Sequence, residues 1–237
     1  FVHLHVHTDG STLDGLGPVR RLVSIAKEKG FDSLAMTDHG TLTNAISFSV
    51  ACKENNVKSI LGEEIYVMFN NGKRVGHLTL LAKNKKGFDN LIDLTTAGHL
   101  SKFRRPAVTI DQIEKFSSNL ICLSGCLASP VHQLEPGESF KFAAKLKEIF
   151  GNSLYAEVIF FNNEDHFSYV AELAKKLALK TVVTNDVHFA LESDAVVHPV
   201  LTTIRMKHTY SSSQLWLKSY DEMFSFAKSI VKGEYDV

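Results

Sequence analysis

The sequence predicts an α/β protein in which seven short strands close, or nearly close, into a barrel. Short β-branched or apolar runs alternate along the chain with longer amphipathic runs, which is typical of a parallel sheet with helical crossover connections. Seven strand candidates fit a barrel better than an open six-stranded sheet. The length of 237 residues is sufficient for one large α/β barrel.

The individual elements follow from these runs. The strand candidates are Val2–His7, Ser33–Thr37, Ser59–Val67, His77–Ala82, Leu120–Leu123, Leu154–Phe160 and Thr181–Asn185. The helix candidates are Gly17–Lys29, Leu42–Asn55, Gly87–Leu100, Ile110–Phe116, Ser139–Phe150, Glu164–Leu177 and Asp194–Met206. Pro18 suits a first helical turn, and Gly30 suits the end of the same helix.

One connection breaks the alternation of strands and helices. Asn70-Asn71-Gly72-Lys73 links the third and fourth strand candidates by a turn, without a helix. The barrel is therefore distorted, or this pair of strands protrudes from it. We expect residues 1–237 to form a single domain, with a peripheral tail over about residues 210–237.

Composition narrows the class of function. Lysine plus arginine and aspartate plus glutamate both number 26, so the net charge is zero. A protein that grips duplex DNA along its length usually carries a basic excess, so any contact with nucleic acid is expected to be local. Three cysteines form no disulfide framework and indicate a reducing compartment. Since neither an apolar run of about 18 residues nor a signal peptide is found, we expect a cytoplasmic protein without membrane contact.

Two histidine-containing pairs point to a metal site. In His5-Val6-His7 the two imidazoles stand two residues apart on a strand, so both project from the same face and can bind one ion. Asp186-Val187-His188 repeats this spacing at the end of the last strand candidate. The alternative for either pair alone is a surface strand with alternating polar residues.

Further polar residues lie near the ends of other strand candidates, where α/β barrels collect their active sites. Each has a plain alternative: Asp38 could cap the next helix beside His39, and Asp14 could be a turn residue. His77 could be a core histidine. The chain pattern leaves open which of Glu63 and Glu64 faces inward. Cys126 could be an ordinary buried cysteine.

The remaining histidines are interpreted as surface residues or as supports for ligands; they are His3, His99, His132, His166, His198 and His208. A single tetrahedral ion could not use all the metal-competent residues near the strand ends, so a cluster of several ions with nitrogen, oxygen and sulfur ligands is expected. Such clusters activate water and neutralise the oxygens of a phosphoryl group. The sequence contains neither G-x-S-x-G nor a P-loop, which disfavours a serine nucleophile or a nucleotide-binding loop.

Six motifs in order resemble the polymerase-and-histidinol-phosphatase (PHP) domain, in the form found at the N-terminus of bacterial DNA polymerase III α subunits. They are His3-Leu4-His5-Val6-His7-Thr8, Leu13-Asp14-Gly15, Thr37-Asp38-His39-Gly40, the strand from His77 to Asn84, Leu123-Ser124-Gly125-Cys126 and Asn185-Asp186-Val187-His188. The resemblance runs from Phe1 to about Met223. It implies a distorted seven-stranded (βα) TIM-like barrel of PHP type.

The resemblance also implies a centre of three divalent metal ions, zinc, manganese or iron, at the mouth of the barrel. The implied ligands, which are also the implied catalytic residues through the metals, are His5, His7, Asp14, His39, Glu64, His77, Cys126, Asp186 and His188. Glu64 is chosen over Glu63 because it stands two residues before a tyrosine, as in the family. Some polymerases of the family have lost several ligands, whereas all nine here can bind metal.

The sequence departs from the family pattern at two places. Glu63 stands where the family usually has a small or sulfur-containing residue, and Arg205-Met206-Lys207-His208-Thr209 replaces a glycine-lysine sequence. Arg205, Lys207 and His208 are nevertheless the candidates for binding the substrate phosphate.

The resemblance implies a metal-dependent phosphoesterase, and the expected activity is that of a proofreading 3′→5′ exonuclease acting on the 3′ end of DNA. The expected partners besides DNA are polymerase domains or other replisome subunits. Two alternatives stay open: a non-catalytic, metal-stabilised scaffold in a replicase, and a small-molecule phosphatase of the histidinol-phosphate kind. Polymerase catalytic carboxylates are not recognised in this sequence, so nucleotidyl transfer by this chain is not expected.

Overall fold

The computed structural model describes residues 1–101, 105–159, 164–206 and 214–231, without the side chains of 164–166, 205–206 and 230–231. The strands are β1 (Ser33–Met36), β2 (Lys58–Phe69), β3 (Arg74–Ala82), β4 (Ala107–Val108), β5 (Leu120–Leu123), β6 (Leu154–Ile159) and β7 (Lys180–Thr184). The helices are α1 (Val19–Glu28), α2 (Ala45–Glu54), α3 (Lys85–His99), α4 (Ile110–Phe116), α5 (Pro130–Gln133), α6 (Pro136–Phe150), α7 (Glu164–Leu177), α8 (His198–Met206) and α9 (Tyr220–Val231).

Most predicted elements are confirmed within a few residues. β5 and α4 have the predicted bounds, and α4 begins with a capping box in which Thr109 and Gln112 bond to each other's backbone N–H. The predicted helix Asp194–Met206 is instead a 3₁₀ turn at Glu192–Val196 followed by α8. The two-residue β4 and the four-residue α5 were not predicted, because elements this short carry no periodic signal.

The strands form one curled sheet in the order β1-β2-β3-β5-β6-β7, with β4 paired to β2. The pairs β1–β2, β5–β6 and β6–β7 are parallel, as expected for strands joined by helices. The parallel arrangement does not extend to β3, which follows the predicted turn without a helix and is antiparallel to both β2 and β5. A turn without a helix reverses the chain direction, so β3 cannot run parallel to β2. The fold is the predicted distorted α/β barrel.

The N-terminal segment, residues 3–7, lies between the two edge strands of this sheet. Its predicted continuous strand Val2–His7 is wrong, since only His3 and Val6 form isolated parallel bridges, to Leu34 in β1 and to Val187 after β7. Backbone hydrogen bonds hold both sides: Ala35 N–H to His3 O at 3.0 Å, and His7 N–H to Val187 O at 2.7 Å. The segment therefore connects β1 to the end of β7 and brings the barrel towards closure.

The β2–β3 hairpin both distorts the barrel and extends past it. β1 pairs with β2 only over Lys58–Leu61, whereas β2 and β3 stay paired from Gly62 to Phe69. Asn70, Asn71 and Gly72 form the turn with φ values of 51°, 54° and 75°. This left-handed backbone favours asparagine and glycine, which explains the residues at the turn.

Apolar residues fill the layers inside and outside the sheet. Ala35, Leu81 and Leu123 are buried together inside the barrel. The outer face of β2 and β3 packs Ile65, Leu78 and other apolar residues against the surrounding helices. Side chains alternate along a strand, so the inward positions of β2 and β3 that lie beyond the internal apolar group are left for Glu64, Tyr66 and His77.

Residues Leu215–Lys218 pack against the segment that follows β7. All four are buried, Phe189 and Trp216 form a parallel bridge, and Asn185 Nδ2 donates to Trp216 O at 2.6 Å. Lys218 is the charged member of this group and is 1% exposed. Its Nζ lies 2.8 Å from the centroid of the Trp216 ring and donates to Gln214 O at 3.0 Å.

Burial lowers the pKa of Lys218 to about 7, although Glu222 and Glu192 act in the opposite direction. Between pH 7 and 10 the unfolded chain keeps this ammonium protonated and the folded chain does not. The free energy of unfolding should therefore rise with pH, by up to about 1 kcal/mol per pH unit from this group. Lys218→Met lacks this group, so the free energy of unfolding of the unsubstituted chain minus that of Lys218→Met should become more positive from pH 7 to 10 in urea denaturation.

The matched control is Lys228→Met. Lys228 is exposed, and its Nζ also lies over an aromatic ring, 4.4 Å from the centroid of Phe224. Its difference from the unsubstituted chain should be constant over the same range. A constant difference for Lys218→Met as well would contradict the assignment.

Candidate metal centre

All nine side chains predicted as metal ligands meet at one mouth of the barrel. His5 and His7 come from the N-terminal segment, and Asp14 from the loop before α1. The expectation that the others lie at strand ends is correct for His39, Cys126, Asp186 and His188, and wrong for Glu64 and His77, which lie within β2 and β3. The extension of the hairpin past the barrel explains this difference, because mid-strand positions there are level with the ends of the other strands.

Glu64 lies at the centre of the group. Its Oε2 is 3.1 Å from His77 Nδ1 and also contacts His39 Nδ1. Its Oε1 is 3.4 Å from His5 Nε2 and 3.5 Å from Cys126 Sγ. One carboxylate thus contacts residues from four separate segments.

Asp186 and Asp14 complete the cluster on its other sides. Asp186 Oδ1 lies 3.3 Å from His5 Nε2 and 3.2 Å from His7 Nε2. Asp14 Oδ2 lies 3.1 Å from His39 Nε2, and its Oδ1 lies 3.7 Å from His188 Nε2. The backbone of Asp186 is left-handed, with φ of 51°, a conformation that aspartate tolerates better than most residues.

Five of these polar atoms are buried without a hydrogen-bond partner among the described residues: His5 Nε2, His7 Nε2, His39 Nδ1, Glu64 Oε2 and Asp186 Oδ1. A buried polar atom without a partner costs roughly 1–3 kcal/mol. Imidazole nitrogens and carboxylate oxygens are ligand atoms for first-row divalent metals. The residues therefore fit bound divalent cations, which would satisfy all five atoms at once.

Hydrogen bonds on the far side of three imidazoles determine which nitrogen is available. His5 Nδ1 donates to Glu157 Oε1 at 2.8 Å, and His188 Nδ1 donates to the carbonyl of Asp186 at 2.9 Å. His7 Nδ1 lies 3.0 Å from Ser11 Oγ. Since Ser11 gives its only hydroxyl proton to Asp38 Oδ1, it accepts from His7. In each ring Nδ1 therefore makes the outer hydrogen bond, and Nε2 is the nitrogen that faces the cluster and can bind a cation.

Glu157 is a functional residue that the sequence analysis missed. It is fully buried in β6 and accepts from His5, from Thr184 Oγ1 at 2.7 Å and from the backbone N–H of Gly125 at 3.1 Å. The available signal was one carboxylate inside an otherwise apolar strand. Buried carboxylates are rare unless they are paired, so that position indicates a partner.

Asp38 has a different role from the helix cap considered for it. Its oxygens accept from the backbone N–H of Thr8 at 2.6 Å, from the Thr8 hydroxyl at 2.6 Å and from Ser11 at 2.8 Å. The residue that precedes α2 is Asn44. Asp38 therefore holds the loop that follows His7 against the end of β1.

Within the described part of the chain, the remaining candidate residues do not join the cluster. Glu63 faces away from the cluster and accepts a hydrogen bond from Thr95 on α3. His3 and His198 are buried rather than on the surface; His198 Nε2 donates to the carbonyl of Asp14 at 2.7 Å and so supports that loop. Lys207, His208 and the side chain of Arg205, predicted to bind the substrate phosphate, lie outside the described residues.

The electrostatics of the site reflect its buried carboxylates. Burial lowers the pKa of His5, but Asp186 and Glu157 outweigh it and raise the pKa well above its ordinary value. Burial and the neighbouring His39 and His188 lower the pKa of His7 to about 3. Burial raises the pKa of the Cys126 thiol, and the carboxylates of Glu64 and Asp186 raise it further. Carboxylates thus raise the pKa of His5 and Cys126, whereas burial and neighbouring imidazoles lower that of His7; bound divalent cations would compensate the buried carboxylates.

Solved structures include proteins with a similar fold. A protein from Bifidobacterium adolescentis, provisionally assigned as a metal-dependent phosphoesterase, matches with a TM-score of 0.55 and 15% identity, covering 100% of this chain and 97% of that one. An amidohydrolase from Chromobacterium violaceum matches with a TM-score of 0.55 and 12% identity, covering 79% of this chain and 87% of that one. At these identities the likenesses show that the chain shares the α/β barrel fold of these proteins.

The sequence identifies the family. Residues 3–159 match the PHP domain, and the chain belongs to the PHP domain family. Two relatives are DNA polymerase III α subunits: that of Treponema pallidum is 34% identical over 94% of this chain, and that of Aquifex aeolicus is 35% identical over 88%. The chain spans 21% and 20% of the length of these two proteins. Among the described helices, none has the length and hydropathy needed to cross a membrane.

Glu157→Gln tests the support of His5. Because the backbone N–H of Gly125 occupies one side of the carboxylate, either orientation of a glutamine amide places its NH₂ against another donor. We expect metal affinity to fall by about 10–100-fold, measured by competition with a chromogenic chelator.

The matched control is Glu63→Gln. The Glu63 carboxylate is also buried, like that of Glu157, but it lies on the face of β2 opposite to Glu64. Burial raises the pKa of Glu63 to about 8, so a neutral glutamine preserves its state near pH 7. Metal affinity should be unchanged in this variant. Equal affinities for Glu157→Gln and the unsubstituted chain would refute the role of Glu157.

Proposed function

We propose that this chain is a metal-dependent phosphoester hydrolase whose nine clustered residues hold three divalent ions of zinc, manganese or iron. The observation that carries the proposal is the convergence of buried nitrogen and oxygen atoms without hydrogen-bond partners in the described part of the chain. The fold supports it, because similar barrels include proteins assigned as metal-dependent phosphoesterases.

The arrangement of the ligands supports more than one ion. Three overlapping groups have ligand atoms within 4.8 Å of one another: His7, His39 and His188; His5, His7 and Glu64; and His39, Glu64 and His77. Groups that share residues would suit more than one neighbouring ion. Asp14, Cys126 and Asp186 add ligands at the edges of these groups, which brings the proposed set to nine.

The bound ions would supply Lewis acidity towards the oxygens of a phosphoryl group and a water nucleophile. The protein contributes a fixed and partly dry environment. The side chains of His5 and His7 are 0% exposed, whereas those of His39, His77 and Asp14 are 10%, 14% and 16% exposed. Substrate therefore approaches from the side of His39, His77 and Asp14, while the hydrogen bonds of Glu157 and Ser11 keep the inner imidazoles oriented.

The proposed substrate is the 3′ end of DNA, which the chain would shorten as a proofreading 3′→5′ exonuclease. The similarity to DNA polymerase III α subunits supports a role in replication, with polymerase domains or other replisome subunits as partners. We further propose that residues 1–237 act as a single PHP domain.

The test uses the chain reconstituted with Mn²⁺ or Zn²⁺ and a single-stranded oligonucleotide labelled at its 5′ end. Successive shortening from the 3′ end is expected, and chelation should abolish it and lower the melting temperature. Asp186→Asn should reduce the rate by more than the roughly 10–100-fold typical of losing an outer partner of a ligand.

Asp93→Asn is the control, because Asp93 is exposed on α3. It should retain full activity. If the chain with a demonstrably filled centre hydrolyses no phosphoester, the hydrolase proposal fails. A metal-dependent melting temperature in the same preparation would then identify a metal-stabilised scaffold. Hydrolysis of histidinol phosphate but not of oligonucleotides would replace the exonuclease with a small-molecule phosphatase.

A further inference from the structure

A groove opens directly beside the metal centre. It encloses about 540 Å³ and includes His39 in its wall, so it is continuous with the exposed side of the cluster. Its lining includes Tyr66 and Arg105, together with the polar residues Asp9, Thr41, Thr43 and Asn44. Its size lies in the range of about 300–1,000 Å³ that is usual for small-molecule sites.

Tyr66 connects the metal ligands to Arg105. The Tyr66 ring is stacked with His39 at 6.0 Å between centroids and meets His77 edge-on at 4.9 Å. The guanidinium carbon of Arg105 lies 5.1 Å from the centroid of the same ring. One aromatic side chain therefore separates this cation from two residues of the cluster.

The guanidinium of Arg105 is positioned and available. A cation–π contact with the ring restrains it, and its N–H groups can still donate to an oxyanion. Within the described residues, Arg105 takes part in no ion pair, unlike Arg20, which pairs with Glu54, and Arg21, which pairs with Asp194. A cation that is oriented but not neutralised, in a groove that leads to a phosphoesterase centre, suits an anionic part of the substrate.

We infer that this groove binds the phosphate neighbouring the scissile one in a polynucleotide, with Arg105 as its ligand. The inference rests on the proposed hydrolysis of phosphoesters and specifies the substrate as a chain with at least two phosphates. Thr41 and Thr43, whose hydroxyls bond to each other at 2.6 Å, also line the groove and give it a polar surface. A substrate with a single phosphate would fill the metal centre and leave the groove empty.

Arg105→Ala and Arg105→Lys are compared with Arg74→Ala. Arg74 is a matched control, since its guanidinium carbon also lies 5.1 Å from an aromatic centroid, that of Phe69, near the far end of the β2–β3 hairpin. Metal content is measured first in each protein. Hydrolysis is then followed with bis(p-nitrophenyl) phosphate, which has one phosphate, and with a trinucleotide, which has two internal phosphodiesters.

For Arg105→Ala we expect unchanged metal content, a KM for the trinucleotide raised about tenfold or more, and hydrolysis of bis(p-nitrophenyl) phosphate within about twofold of the unsubstituted chain. The KM of Arg105→Lys for the trinucleotide should lie between those of Arg105→Ala and the unsubstituted chain, because lysine keeps the charge and loses the planar fork. Arg74→Ala should match the unsubstituted chain with both substrates. Equal effects of Arg105→Ala on both substrates, or none on either, would overturn the inference.

Binding separates this inference from the proposed function. Fluorescence anisotropy with a single-stranded oligonucleotide ending in phosphorothioates reports affinity without turnover. Loss of one phosphate contact should reduce the slope of log K against log salt by about 0.7, and a purely structural role for Arg105 would leave this slope unchanged. If the chain hydrolyses nothing but Arg105→Ala shows the reduced slope, the hydrolase proposal fails and the groove remains a phosphate subsite. An unchanged slope overturns the subsite whether or not hydrolysis occurs.

Discussion

The backbone hydrogen bonds of residues 3–7 are the constraint on which the rest of the structure depends. This segment bonds to Ala35 and Thr37 on the side of β1 and to Val187 on the other side. Because it joins the two edges of the curled sheet, it places His5 and His7 between Glu64 from β2 and Asp186 after β7. Barrel closure and assembly of the candidate metal centre are therefore the same structural event, and loss of the pairing would expose both sheet edges.

The interior of the barrel divides into an apolar part and a polar part. Ala35, Leu81 and Leu123 pack like any core, whereas the mouth buries carboxylates, imidazoles and a thiol. Burial of unpaired polar atoms opposes folding, so the mouth is costly unless cations occupy it. The substantial apolar layers outside the sheet provide stability that offsets this cost. The same separation leaves Tyr66 and Arg105 at the exposed side, where a substrate can reach them.

Much of the fold was predictable because its strands, helices and hairpin turn follow from local patterns in the sequence. Alternating apolar runs located β5 and α4 within their observed bounds, and Asn70-Asn71-Gly72 identified the hairpin. The strand expected at Val2–His7 failed for a physical reason: its apolar and polar alternation is genuine, but the segment spans two edges and pairs only briefly with each. Alternation along a chain reports which side chains face inward and carries no information on how long a pairing continues.

The sequence by itself determined the class of fold and the chemical types at the site, since the i, i+2 pairs His5-Val6-His7 and Asp186-Val187-His188 depend only on strand geometry. The family resemblance extended these pairs to nine residues, and the structure brings all nine together. Only the tertiary structure decided that Glu157 orients His5, from 152 residues away, and that Arg105 lies on Tyr66 beside His39. Such contacts join segments that are distant along the chain, and their hydrogen bonds and ring stacking leave no periodic trace in the sequence.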